Sequence, residues 1–234
     1  MIKLEHFDAQ MAVRSMKGIY EILTDQEREL FASVVSVERY RRNEYIYREG
    51  EMPERLLCLH NGKVKIYRDG VAGRMLINRV LRPVQYFGYR ASMANEPYVT
   101  AASAFEESTI IAVPMNCVYE VLKQNNALCL FFIRYLAADL GIADQRIVSL
   151  TQKHLRGRLA EALLSLLDIY GVGSDGQSLA FHITREDLAN LSNMTTSNAI
   201  RTLSIFGDEG ILDAHGRYIK FYDIEALHRI SEHG

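Results

Sequence analysis

The sequence predicts an α+β chain in two parts. An N-terminal β-roll of the jelly-roll kind is followed by a long helix, and a winged helix-turn-helix closes the chain. Three observations carry this expectation. From about residue 34 to 114, short apolar runs alternate with glycine and proline turns, the pattern of a barrel or roll. From about 125 to 153 the apolar period becomes that of a helix. Between Thr184 and Tyr222, two short helical patterns, a tight turn and a hairpin follow in succession.

With 234 residues, 48% of them hydrophobic, the chain can hold two small domains, each with its own core. There is no uninterrupted apolar stretch of membrane-spanning length, and the opening MIKLEHFDAQ lacks the apolar segment of a signal peptide. The expectation is a cytoplasmic protein with no membrane partner. Cys58, Cys117 and Cys129 stand far apart in no metal-like spacing, which agrees with a reducing compartment and gives no metal site. Nothing resembles G-x-S-x-G, H-E-x-x-H, a P-loop or a dinucleotide fingerprint, so no enzyme and no cofactor are expected. The net charge is −2, and from Thr151 onward 8 Lys/Arg stand against 11 Asp/Glu. A general basic footprint is missing, so non-specific affinity for nucleic acid should be weak.

In chain order, residues Phe7 to Ala32 read as helical, with Ile19, Ile22, Leu23 and Leu30 on an interrupted apolar face and Thr24 as a cap inside the segment. Strands are expected at 45–47, 56–59, 63–67, 75–80 and 109–113. Asn61-Gly62 reads as a two-residue hairpin turn with positive φ at both positions. Leu128, Phe132, Leu136, Leu140, Ala143, Ile147 and Leu150 then form one helical stripe. That helix, about 44 Å long at 1.5 Å per residue, offers either a core seam or a coiled-coil-like dimer seam, and the dimer is favoured. Leu155, Leu159, Ala162, Leu163, Leu166 and Tyr170 form a further amphipathic helix, ended by the glycine-rich turn at 171–176. The expected division is 1–153, including the dimerisation helix, and 154–234.

Within the last part, Thr184 stands as an N-cap with Asp187 at N3, and Ile183 and Leu188 occupy hydrophobic-staple positions. Ser192-Asn193-Met194 is short enough to force a sharp angle between two helices. Thr195 caps the second. Residues on a helix advance by about 100° each, so Ala199, Leu203 and Phe206 share a side to bury. Thr196, Ser197, Ile200, Arg201 and Ser204 share the opposite arc. That arc suits base edges in a major groove: Arg bonds guanine bidentately, Thr and Ser bond several bases, and a thymine methyl can meet Ile200. Gly210 ends the helix, and a wing forms around Ala214-His215-Gly216-Arg217. The DNA-contacting candidates are Arg185, Thr195, Thr196, Ser197, Ile200, Arg201, His215 and Arg217, with double-stranded DNA as partner.

This segment resembles the winged helix-turn-helix of the cyclic-AMP-receptor/fumarate-nitrate-regulator (Crp/Fnr) family of bacterial transcription factors. The family opening T-R-x-[DE]-[IL]-A stands as Thr184-Arg185-Glu186-Asp187-Leu188-Ala189, its recognition arginine falls on Arg201, and its wing A-H-G-[KR] is Ala214 to Arg217. Thr196 and Ser197 replace the family's Arg and Glu, a departure that bears on the operator sequence. The β segment resembles the family's cyclic-nucleotide-binding roll through Glu49-Gly50-Glu51, His60 to Val64 and Tyr86-Phe87-Gly88, and Gly157-Arg158-Leu159-Ala160 matches the motif just after the joint. The resemblance implies a homodimeric regulator on a palindromic site, and leaves RNA polymerase open as a further partner. The alternative is a regulatory protein of the same fold that acts on a partner protein.

For the sensor, the resemblance implies a Glu for the ribose and an Arg for the cyclic phosphate, which here are Tyr89 and Tyr98 or Val99. The base-contacting Thr-Ser pair aligns with Ala143-Asp144. Cyclic AMP in the family's usual pose is therefore not expected. The effector-pocket candidates are Tyr89, Arg90, Tyr98, Thr100 and Asp144. Arg90 either meets an anion from another angle or is a solvated loop arginine, and the tyrosines either line a pocket or fill the core. The roll responds to an unidentified small molecule or holds the dimer without one. Dispersed cysteines exclude a four-thiolate cluster. A haem would need an axial ligand, for which His60 or Cys58 is the candidate, and His60 abuts a turn.

Overall fold

The computed structural model describes residues 2–3, 7–70 and 75–233. Two compact units result, residues 1–68 with 78–141 and residues 69–77 with 142–234.

The first unit is a β-roll with helices against it. Its elements are β1 (Ile2–Lys3), α1 (Ala9–Arg14), α2 (Asp25–Val34), β2 (Ser36–Tyr40), β3 (Tyr45–Tyr47), β4 (Arg55–Asn61) and β5 (Val64–Asp69). There follow β6 (Met75–Leu81), β7 (Tyr86–Phe87), α3 (Tyr89–Met93), β8 (Ala101–Ala104), β9 (Ser108–Pro114), α4 (Met115–Leu122) and α5 (Asn126–Gln152). The unit boundary falls inside α5. Two antiparallel sheets have strand orders β1-β2-β9-β4-β7 and β3-β8-β5-β6. Both faces of β4 and β9 are covered. Leu56, Cys58, Ile111 and Val113 face the helices, while Leu57, Leu59, Ile110 and Ala112 fill the roll. This explains why those strands read as continuous apolar runs, since alternation needs one wet face.

All five expected strands form, as β3, β4, β5, β6 and β9. The helical segment from Phe7 breaks into α1, a short 3-10 turn at Tyr20–Ile22 and α2. Thr24 caps α2 in a capping box: its hydroxyl accepts from the Glu27 N–H at 3.3 Å, and the Glu27 carboxylate accepts from the Thr24 N–H at 2.8 Å. β8 was not expected because Ala-Ala-Ser-Ala has little strand preference. Pairing on both sides, with β3 and β5, imposes it.

Two expectations need correction. Asn61-Gly62 is not a hairpin turn, because β4 and β5 belong to different sheets and do not pair. Gly62 alone has positive φ, at +86°, and a Cβ there would collide with the Glu107 carbonyl. The dipeptide is a corner at which the chain changes sheets. The α5 stripe is also split. Leu128 and Phe132 are buried in the core of their own unit, and Leu136 packs partly against it. Leu140 and Ile147 of that stripe are exposed, and so are Leu130, Ile133, Ile142 and Val148 beside it. By length and composition α5 is also apolar enough to cross a membrane, because a helix tolerates the scattered charges that interrupt a continuous run. Arg134, Asp139, Asp144 and Arg146 would be costly in hydrocarbon.

The second unit holds α6 (Leu155–Tyr170), α7 (Arg185–Leu191), α8 (Thr196–Asp208), β10 (Leu212–His215), β11 (Tyr218–Phe221) and α9 (Ile224–His233). Leu159, Leu163, Leu166, Leu188, Leu203 and Phe206 are buried in it. Gly171 ends α6 at φ +72°. The C-terminal α9, a helix beyond the expected elements, buries Leu227, and Asp223 accepts from the Ala226 N–H at 2.8 Å at its start.

Candidate nucleic-acid interface and sensor site

The reading helix is positioned by its caps and its buried side. The Thr184 hydroxyl accepts from the Asp187 N–H at 3.0 Å and donates to the Asp187 carboxylate at 2.7 Å, which fixes the start of α7. Ser192 to Met194 form the turn, with Asn193 at φ +49°. The Thr195 hydroxyl accepts from the Asn198 N–H at 3.3 Å to cap α8, and lies 3.1 Å from the Ser197 hydroxyl. Ala199, Thr202, Leu203 and Phe206 turn inward. Thr195, Thr196, Ser197, Ile200, Arg201 and Ser204 are exposed, with Ile200 at 51%. A half-exposed isoleucine among hydroxyls and a guanidinium is a surface made for contact.

β10 and β11 pair from Leu212 with Phe221 to His215 with Tyr218, and Gly216 takes positive φ in the two-residue turn it makes with Arg217. His215 and Arg217 are exposed at this tip. Arg185, at the first position of α7, is half-buried in a groove of about 460 Å³ between α8 and the wing, beside Ile200, Ser204, Asp208 and Asp213. Burial lowers its pKa, and its Nη1 has no hydrogen-bond partner in the protein. A half-buried guanidinium with an unused buried donor is poised for an anion. Sequence reading did not foresee Asp208 and Asp213 in the same groove. His215 Nε2 lies 3.2 Å from Asp213. These carboxylates lower the local positive potential, in keeping with the weak non-specific affinity expected from charge.

The sensor candidates separate. Tyr89 is 2% exposed and belongs to the core beneath the helices, against Phe132 at 5.0 Å between ring centroids. Tyr98 belongs to the core inside the roll and stacks on Tyr47 at 3.8 Å. Thr100 hydrogen-bonds Tyr47. Arg90 is exposed and pairs with Glu96 at 2.8 Å. Asp144 is exposed on α5. Tyr135, not among the expected residues, lies 6.4 Å from Tyr89 between ring centroids, and one turn along α5 Asp139 pairs with Arg79 at 2.5 Å. The available signal was Arg79 itself, a cation within the apolar run of β6. Cys58 is buried and its thiol is pushed up to about 12 by desolvation. Among the described residues no group of three or more His, Cys, Asp or Glu could hold a metal ion.

Along α5, Leu130, Ile133, Ala137, Leu140, Asp144 and Ile147 follow the alternating three- and four-residue spacing of a coiled-coil seam, and all six are exposed.

Residues 37–125 match the family model of the cyclic nucleotide-binding domain, and residues 157–230 match that of the Crp-like helix-turn-helix domain. The anaerobic regulatory protein of Bacillus subtilis is 25% identical over 203 residues, 85% of each chain. Among solved structures, FixK2 from Bradyrhizobium japonicum superposes with a TM-score of 0.72 at 24% identity, covering 84% of this chain and 97% of its own. A Crp/Fnr-family transcriptional regulator from Eubacterium rectale superposes at 0.81 with 17% identity, covering 93% and 99%. A nucleotide-binding-type roll, a capped and half-exposed reading helix and both matched domains in this order make the chain a member of the Crp/Fnr family of DNA-binding transcriptional regulators.

Proposed function

We propose that this regulator works as a homodimer in the cytoplasm and reads a palindromic DNA site through α8. Arg201, Thr196, Ser197 and Ile200 meet base edges, while Arg185, Thr195, His215 and Arg217 hold phosphates. The observation that carries this reading is the exposed arc of α8 beside the Arg185 groove, with its unpaired Nη1. A two-fold operator calls for a two-fold protein, and the apolar line on α5 is the seam we assign to it. The functional division is placed at 153/154, where α5 gives way to α6 across Lys153 and His154. RNA polymerase is the partner through which such a DNA-bound dimer would act. Selection of binding sites from random-sequence duplexes tests the reading. It should return an inverted repeat, and a single asymmetric site or no enrichment would overturn it.

The roll responds to a small effector other than cyclic AMP. By the family resemblance Tyr89 takes the position of the ribose acceptor and Tyr98 or Val99 that of the phosphate cation; both tyrosines are buried, and Arg90 is already paired with Glu96. A ligand at 100 times its dissociation constant adds about 2.7 kcal/mol of stability. Micromolar cyclic AMP and cyclic GMP should leave the thermal midpoint unchanged, and a clear upward shift would refute this.

A further inference from the structure

We infer that the Arg79–Asp139 pair, together with the Tyr89 hydroxyl, anchors the effector, and that the effector is a small organic monocarboxylate with a planar apolar body. The inference rests on reading the roll as a ligand-responsive domain.

Arg79 Nη1 donates to Asp139 Oδ1 at 2.5 Å, but the buried Arg79 Nε has no partner. The Tyr89 hydroxyl is also buried without one, on a side chain 2% exposed. Both groups meet at one face of α5: Tyr89 lies 6.4 Å from Tyr135 between ring centroids, and Asp139, which holds Arg79, follows Tyr135 by four residues on that helix. Buried donors are ordinarily satisfied. Two unused donors ask for an acceptor, and a guanidinium asks for an anion. The guanidinium edge that carries Nε–H matches the paired oxygens at the edge of a carboxylate. The nearby Asp139 charge opposes a dianion such as phosphate more strongly than a monoanion. Beside the pair, the half-buried Tyr135, 6.4 Å from Tyr89 between ring centroids, is the aromatic face on which an apolar ring would rest. Arg79 and Asp139 remain 24% and 31% exposed, so the pair is open to solvent exchange. A carboxylate that drew Arg79 from Asp139 would release the tie between β6 and α5. Occupancy of the roll would thereby reach the helix that carries the dimer seam.

The test is calorimetry and thermal shift on the full chain with benzoate, with benzamide as the neutral isostere, and with inorganic phosphate. Benzoate should bind and stabilise, and benzamide and phosphate should bind about tenfold more weakly or not at all. Arg79→Gln should weaken benzoate by about tenfold or more, as expected for the loss of a charge-assisted hydrogen bond. Asp139→Asn should tighten it, because the internal competitor is gone; a merely structural ion pair predicts no such gain. If Arg79→Gln fails to fold, Arg79→Lys and the Asp139→Asn gain decide the matter. Benzoate binding that is equal in parent and Arg79→Gln overturns the anchor. So does its absence from both parent and Asp139→Asn proteins that are folded by circular dichroism. Site selection on DNA is run beside it without ligand. If the parent selects DNA but neither it nor Asp139→Asn binds benzoate, the anchor alone is lost, whereas a parent that binds benzoate but no DNA loses the regulator reading.

Discussion

The guanidinium of Arg146, on the C-terminal half of α5, donates to the backbone carbonyl of Leu191, the last residue of α7. The final carbonyls of a helix have no partner within it and carry the negative end of its dipole, so a cation there is doubly favourable. Desolvation lowers the Arg146 pKa. The C-terminal half of α5 thus holds the first helix of the helix-turn-helix by a charged hydrogen bond.

Arg146→Gln should therefore destabilise the DNA-binding unit by about 1–3 kcal/mol, the cost of losing a hydrogen bond to a charged group. Chemical denaturation followed by a probe in that unit would measure it. Unchanged stability would mean that the carbonyl is as well served by water.

Arg201→Ala should cost about 1–3 kcal/mol on a selected operator and relax the choice of base at one symmetric position. Arg185→Ala and His215→Ala should weaken all sequences more evenly, because phosphate contacts position the protein without specifying a base. Quantitative gel shifts on matched and mismatched sites separate the two patterns. Loss of discrimination from Arg185→Ala instead would exchange the roles.

The exposed line on α5 makes a two-signed forecast. Ile133→Glu or Leu140→Glu should split the dimer while leaving both units folded, since neither side chain serves its own core. Asp144→Leu should strengthen it, because a charge at a seam position costs stability. Light scattering across a dilution series reads both. A dimer untouched by Leu140→Glu would place the seam elsewhere.

The cysteines should react in an order set by burial. Cys58 is buried and its pKa is pushed up to about 12, so at pH 8 its reactive thiolate is a minor species. The shift upward means that the thiolate, and with it alkylation, appears only as pH approaches 12 or as the chain unfolds. Mass-resolved alkylation should label the less buried Cys129 first and Cys58 only in denaturant. Rapid native labelling of Cys58 would instead make it a redox-sensor candidate.

Much of the DNA-reading unit was legible in the chain itself, because its determinants are local. A cap at Thr184, a cap at Thr195, a three-residue turn and a period of about 3.6 residues decide which side of α8 is buried and which is exposed. The strands of the roll were legible as runs for the same reason. Which sheet each strand joins was not. Asn61-Gly62 has the composition of a hairpin turn, and only the assignment of β4 and β5 to different sheets, with Glu107 and Ser108 at the start of β9 packed against Gly62, makes it a corner. The partnership of Arg79 with Asp139 spans sixty positions, and the burial of Leu128 but not Leu130 depends on where the rest of the unit lies. Local sequence determined the elements, their caps and the chemistry of the reading face. Long-range packing decided which apolar residues are core, which remain free to meet a partner, and which buried donors are left without one.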